Sequence, residues 1–221
     1  MAGEREERMK SVIGLKNVVI AQLLTDTDEE TTYDTPEAVE GAIDMSITPN
    51  NADPDVQYAD DIEFDVIQPD PEVTVALEMT QLPLDIRAGI EGAKLDNKGV
   101  MVQSANDTPP YYAIGAKAEL RAGGFRYIWL LKCRATPMTE QYHTKEGATI
   151  TRQTGQVEFT AIKRTSDGHW KYTADEGQNG FDATAAASFL SSVYTPTFTS
   201  GGSEESWRCR AARRDTRAAL V

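Results

Sequence analysis

The chain has 221 residues, a net charge of −13 and a sequence pI near 4.6. A hydrophobic content of 40% allows a packed core, whereas the acidic balance argues against a protein that grips nucleic-acid phosphates, which needs clustered Lys and Arg. No run is apolar and long enough to predict a membrane helix, and the opening MAGEREERMK lacks the apolar segment of a secretory signal.

Residues 1–10 read as a solvated arm. VIGLKNVVIAQLLT (Val12–Thr25) is apolar and β-branched, which predicts a strand. DTDEETTYDTPEAVEG then reads as a polar connection, too acidic to pack by itself. Asp26, Asp28, Glu30 and Glu37 in it fall at four positions of a calcium-loop pattern, but Thr31 stands where the sharp turn wants Gly, so a solvated loop is the expectation. AIDMSITPN (Ala42–Asn50) alternates, with Ile43, Met45 and Ile47 on one face.

The stretch from Tyr58 to Ile86 carries the densest signal. Asp61, Glu63 and Asp65 alternate with Ile62, Phe64 and Val66. After a Pro-rich turn, Glu72 and Glu78 alternate with Val73, Val75, Leu77 and Met79. The period of two predicts a hairpin with one apolar and one carboxylate face. Between Asp26 and Glu91 stand nineteen acids and one base, Arg87, so the stripe has almost no partner, and like charges side by side oppose pairing.

LPLDIRAGIEG (Leu82–Gly92) predicts a short helix, with Pro83 to start it and Gly92 to end it. GVMVQSA, YYAIGAKAELRA and GFRYIWLLKCRA read as strands, the last two joined at Gly123-Gly124 in a tight turn. Thr136–Thr151 reads as a long polar loop. GQVEFTAIKRT (Gly155–Thr165) predicts a strand, Asp167-Gly168 a turn and HWKYTA its partner strand. FDATAAASFLSSVY (Phe181–Tyr194) has helical spacing, with an Asp near its start. Many short strands, two short helices and no βαβ alternation predict a mainly antiparallel sandwich or barrel-like fold with flanking helices.

Chemistry is sparse. The two histidines, His143 and His169, have no signature partners, and no phosphate loop or dinucleotide fingerprint is present. Catalytic carboxylates come as separated pairs in unlike surroundings, whereas this stripe repeats one environment. Cys133 and Cys209 are expected as free thiols, with Cys133 a small buried residue. Asn106-Asp107-Thr108 matches a glycosylation pattern that has no meaning without secretion. No enzyme activity, cofactor or metal is expected.

The succession "IGLKNVVIAQL", "TYDTPEAVEGAIDMSITPN", "EVTVALEMTQLPLDIRAGIEG", "TPPYYAIG" and "FRYIWLLKCRA" followed by "QTGQVEF" resembles the major tail proteins, the tail-tube subunits, of long-tailed non-contractile bacteriophages (siphophages), over about residues 11–195. The resemblance implies a virion protein with a β-sandwich domain over 11–195; the 1–10 arm and the Arg-rich 196–221 segment, read as flexible or extra, lie outside it. It implies hexameric rings stacked into a hollow tube around a tape-measure protein, bounded by tail terminator and distal tail or baseplate proteins, through which double-stranded DNA passes. It implies no membrane partner, and assembly in the host cytoplasm. On that basis Asp61, Glu63, Asp65, Glu72 and Glu78 are expected on the bore or a ring interface, facing DNA or a neighbour's bases such as Arg126 or Lys132. The loops Thr25–Gly41 and Thr136–Thr151 are candidates for clasping adjacent rings, with ordinary exposed loops as the equal alternative. The rival readings are a single-ring tail terminator or connector, distinguished by the absence of long rods, and a calcium-dependent or carbohydrate-binding β-sandwich module, distinguished by ligand stabilisation of a monomer.

Overall fold

Alternation in the long apolar segments sets the architecture. In a computed structural model, described for residues 11–50, 54–59, 62–67, 72–121, 123–140, 142, 144, 154–178 and 180–197, thirteen strands and two short helices are seen. The first strand, β1 (Val12–Asp26), pairs with β2 (Thr31–Tyr33) and β3 (Glu37–Val39) on one side. On the other side it pairs with β10 (Tyr111–Leu120). The ladder continues through β11 (Phe125–Ala135), β12 (Gly155–Ala161) and β7 (Glu72–Met79) to β4 (Ala42–Asn50), every pairing being antiparallel. β4 comes back beside β1 without a ladder, so the sheet curls on itself into a sandwich-like, partly closed barrel. The fold is mainly β, as the strand count in the sequence implied.

The core fills the inside of this curl. Val18 and Ile20 of β1, Tyr112, Ile114 and Ala116 of β10, and Leu130 and Cys133 of β11 meet Val157 and Phe159 of β12 and Val73, Val75, Leu77 and Met79 of β7. Helix α1 (Leu84–Glu91) closes one end through Ile90, with Leu82 just before it. Pro83 and Gly92 flank it as expected. Gly92 is in the left-handed region (φ 72), and a Cβ there would lie 2.5 Å from the Thr108 carbonyl oxygen, so this position requires glycine twice over.

A second apolar layer covers part of the outer face. Val19, Ala21, Ala113, Tyr127, Trp129 and Leu131 pack under α2 (Ala183–Ser188) and the residues after it, with Phe189 buried among them. Asp182 caps α2 by accepting from the Thr184 N–H (2.9 Å), as its place in the sequence suggested. Trp129 Nε1 donates to the Phe189 carbonyl (2.8 Å). Both faces of β1 and β11 are apolar because one meets the core and the other this layer, and bulges beside Asn17 (φ 47) in β1 and between Leu130 and Cys133 in β11 change which alternate positions face inward.

Four expectations need correction. The Tyr58–Met79 stretch is not one hairpin: β6 (Ile62–Ile67) pairs with β5 (Asp55–Ala59), and this ribbon is inserted between β4 and β7, which pair with each other. Nearest alternating neighbours in sequence do not pair here because the buried face of β7 is matched by β4 and β12. Residues 25–41 are not a free loop. Val39 is buried, and the Tyr33 Oη–H donates to the Leu131 carbonyl (2.9 Å), so two short strands hold the segment to its own sheet. Ile43 is exposed, because a register shift between Ala42 and Asp44 turns it away from Met45 and Ile47. The strand after the Asp167-Gly168 turn, β13 (Lys171–Asp175), pairs with β11 and not with β12. Long β11 is shared: Arg126–Leu130 pair with β13, and Cys133–Ala135 pair with β12. The short hairpin β8 (Lys94–Leu95) and β9 (Met101–Val102) stands apart from the main sheet. Cys133 is a buried free thiol, pushed up by burial, whereas Cys209, His143, the arm and the C-terminal segment lie outside the described residues.

Candidate functional site

The outward side of β12, β7 and β4 forms one continuous polar surface. β7 turns Val73, Val75, Leu77 and Met79 into the core, so Glu72, Thr74, Ala76 and Glu78 must point the other way. Register then fixes their neighbours. Glu78 lies between Asp44 of β4 and Gln156 of β12, Ala76 between Ser46 and Glu158, and Thr74 between Thr48 and Thr160; Glu72 is opposite Asn50. None of the three strands contains Lys or Arg. The surface is held by hydroxyls and amides: Thr154 Oγ1 donates to Glu78 Oε1 (2.7 Å) and Asn50 Nδ2 to Thr74 Oγ1 (3.0 Å). Asp44 and Glu78 are cross-strand partners of like charge, an arrangement that weakens a sheet.

Four of the five predicted acids divide between two places. Glu72 and Glu78 are on this face, joined by Asp44 and Glu158, which the sequence reading did not single out. Those two occupy alternate positions in recognisable strands, so the signal existed, but only the pairing of β4 and β12 with β7 reveals them. Asp65 is exposed on the β5–β6 ribbon. Glu63 falls within β6 opposite Tyr58, and Asp61 lies outside the described residues.

Elsewhere, charges are consumed inside the chain. Lys132 Nζ donates to Asp26 Oδ2 (2.5 Å), and the Thr165 N–H and Oγ1–H donate to the same carboxylate (both 3.0 Å). Burial pushes the Asp26 carboxyl up, but these donors outweigh it and hold it at about 2. Arg126 forms a two-point pair with Asp175 (2.6 and 2.8 Å). Arg164 is buried, donates to both oxygens of Asp167, and reaches the hydroxyls of Tyr33 and Tyr172. Tyr33 and Tyr172, desolvated by burial, are pushed up to about 12. His169 joins this cluster through Asp167 and Tyr172. Arg87, at α1, pairs with Glu91 (3.1 Å) and Glu140. Arg126 and Lys132, the bases considered as neighbours for the stripe, are therefore already paired within the subunit. Asp26, first of the calcium-loop positions, is held by an ammonium and hydroxyl and amide donors, and no cluster of three or more metal-type ligands exists among the described residues.

Extended polar sheet faces with internally neutralised anchors suit a structural subunit that presents surface to other molecules. The family model described as phage tail tube protein matches residues 17–194, and the chain belongs to that family. It is accordingly a non-enzymatic, structural component of the virion tail that self-assembles into a tube. Among curated proteins, none matches the chain. No helix among the described residues is long and apolar enough to cross a membrane.

Proposed function

We propose that the subunits close into hexameric rings, that the rings stack into a siphophage tail tube around a tape-measure protein, and that the outward face of β12, β7 and β4 lines the bore. Tail terminator and distal tail or baseplate proteins would bound the tube, and assembly would take place in the host cytoplasm. The observation that carries this reading is the absence of Lys and Arg from all three strands, beside four acids on one surface.

DNA carries one negative charge per ~1.7 Å of duplex axis, and a lysine-lined bore would release its counterions and hold it. Carboxylates interspersed with hydroxyls repel it and keep a water layer. Screening confines that repulsion to roughly 8 Å at physiological salt, so only the lining itself needs to be acidic. This also accounts for an Asp44–Glu78 pair that does the isolated sheet no good.

The test replaces Asp44, Glu72, Glu78 and Glu158 by Lys. These side chains lie outside the core, so rods should still form under electron microscopy. DNA should then be retained during ejection, with retention relieved by added salt. Rods that eject DNA normally, or a ring reconstruction with this face on the tube exterior, would refute the reading.

A further inference from the structure

We infer that the recess between α1 and the β1–β3 corner of the sheet binds an alkylammonium group, carried either by a free diamine or by a lysine side chain of a second copy of the chain. The binding itself does not depend on assembly into a tube.

Register assembles the recess. Ile20 and Gln22 alternate on the inner face of β1, and their partners, Glu37 of β3 and Tyr112 of β10, lie directly opposite them on the same face. The Asp34 N–H donates to the Gln22 carbonyl (2.9 Å), which holds the Asp34 backbone at the rim. Helix α1 supplies the facing wall through Asp85, Ile86 and Gly89. The space enclosed is about 210 Å³. That is below the ~300–1,000 Å³ of pockets that hold drug-sized ligands, so it suits a small group.

The recess is acidic and has no base of its own. Asp34, Glu37 and Asp85 line it with no Lys or Arg. Asp34 accepts from the Thr35 N–H (2.7 Å), and none of the three has an ion-pair partner among the described residues. Arg87, next to Ile86 in the chain, is consumed by Glu91 and Glu140.

Three acids alone would be a solvated rim, and Tyr112 makes the difference. It is 8% exposed, yet its hydroxyl has no hydrogen-bond partner among the described residues. No described side-chain polar atom is both sealed from solvent and unpartnered, so this hydroxyl opens into the recess. A Cβ on Gly89 would lie 3.2 Å from it. Glycine is unfavourable inside a helix, and here its missing side chain keeps the space before the hydroxyl clear. Burial and the nearby Glu37 charge push Tyr112 above its ordinary value, so it stays protonated and can accept from a cation while donating to a carboxylate.

The kind of cation follows from the spacing. A divalent metal draws its oxygens to within about 2.0–2.6 Å, and no group of three or more metal-type ligands exists among the described residues. An ammonium carries three donors and reaches separate acceptors through hydrogen bonds of about 2.7–2.9 Å. Its methylene stem has Ile20 and Ile86 to lie against.

Calorimetric titration of the full-length chain, kept too dilute for rods, with 1,4-diaminobutane tests the site. Saturable binding of one diamine per subunit is expected. Glu37→Gln and Asp85→Asn, both at exposed side chains, should each weaken it about tenfold, as expected for loss of one charge-assisted contact. Tyr112→Phe should weaken it about fivefold with no loss of thermal stability, because the hydroxyl has no partner within the subunit. Glu29→Gln with Glu40→Gln removes charge from exposed positions outside the recess and should leave binding unchanged. Rod formation with and without saturating diamine separates the two sources: suppression identifies a neighbour's lysine as the natural occupant, and unchanged rods identify a free diamine. Absence of saturable binding, or equal weakening by the Glu29 and Glu40 changes, would overturn the inference and leave the tube reading untouched.

Discussion

Asp26→Asn should destabilise the unassembled subunit in a pH-dependent way. The native carboxylate is 6% exposed and receives Lys132 Nζ together with the Thr165 amide and hydroxyl. Its fall from 3.8 to about 2 corresponds to roughly 2.5 kcal/mol at about 1.4 kcal/mol per unit. Solvent at the end of β1 screens part of this, so about 1–2 kcal/mol is expected from the carboxylate's charge alone. The Asn variant also leaves the Lys132 ammonium facing a neutral amide, which brings the expected loss at pH 7 to about 2–3 kcal/mol. Urea unfolding of dilute subunit, followed by the fluorescence of buried Trp129, measures it, with the m-value unchanged. The folded value is depressed, so the contribution is present above 3.8 and is lost as pH falls towards 2. The gap between wild type and variant should therefore narrow over that interval. Asp167, also held at about 2, is present in both proteins and cancels. A variant within about 0.3 kcal/mol of wild type at pH 7, or a gap that stays constant down to about pH 2, would refute the reasoning.

Other expectations follow from single contacts. Phe159→Ala should cost about 3–5 kcal/mol in the same urea assay, since the ring is enclosed by β7, β11 and α1-side core residues. Gly92→Ala should lower the melting temperature by several degrees, through left-handed backbone strain and the approach of Thr108, at a cost of about 1–2 kcal/mol. Trp129→Phe keeps the buried ring but leaves the Phe189 carbonyl without its donor, so limited proteolysis should cut more readily after residue 180, with about 1–2 kcal/mol lost overall. A chelator should leave thermal unfolding unchanged, because Asp26 is engaged by Lys132; a clear drop in melting temperature would restore the calcium-loop reading.

The strands that face a core were legible because burial imposes period two. Val73, Val75, Leu77 and Met79 reveal β7, and Val12–Asp26 reveals β1. Helix α1 was legible from its Pro and Gly boundaries. Pairing was not, since hydrogen-bond partners are chosen by the whole sheet: β7 pairs with β12, far along the chain, and β6 turned to β5. The residues 25–41 misled because charge dominated the reading, whereas Tyr33 and Val39 alone are enough to fasten the segment. Two of the candidate acids share one surface, and its other two members, Asp44 and Glu158, become visible only once register is known.

The insertion of the ribbon at the Asn50–Glu72 end of the β4–β7 ladder has a mechanical meaning. A pull on the ribbon along the strands drags β4 and β7 in the same direction. The bonds between β7 and β12, from Gly155–Met79 to Ala161–Val73, then slide in shear and must yield together instead of parting one by one from an end. A load that reaches the ribbon is therefore met by bonds whose rupture is collective.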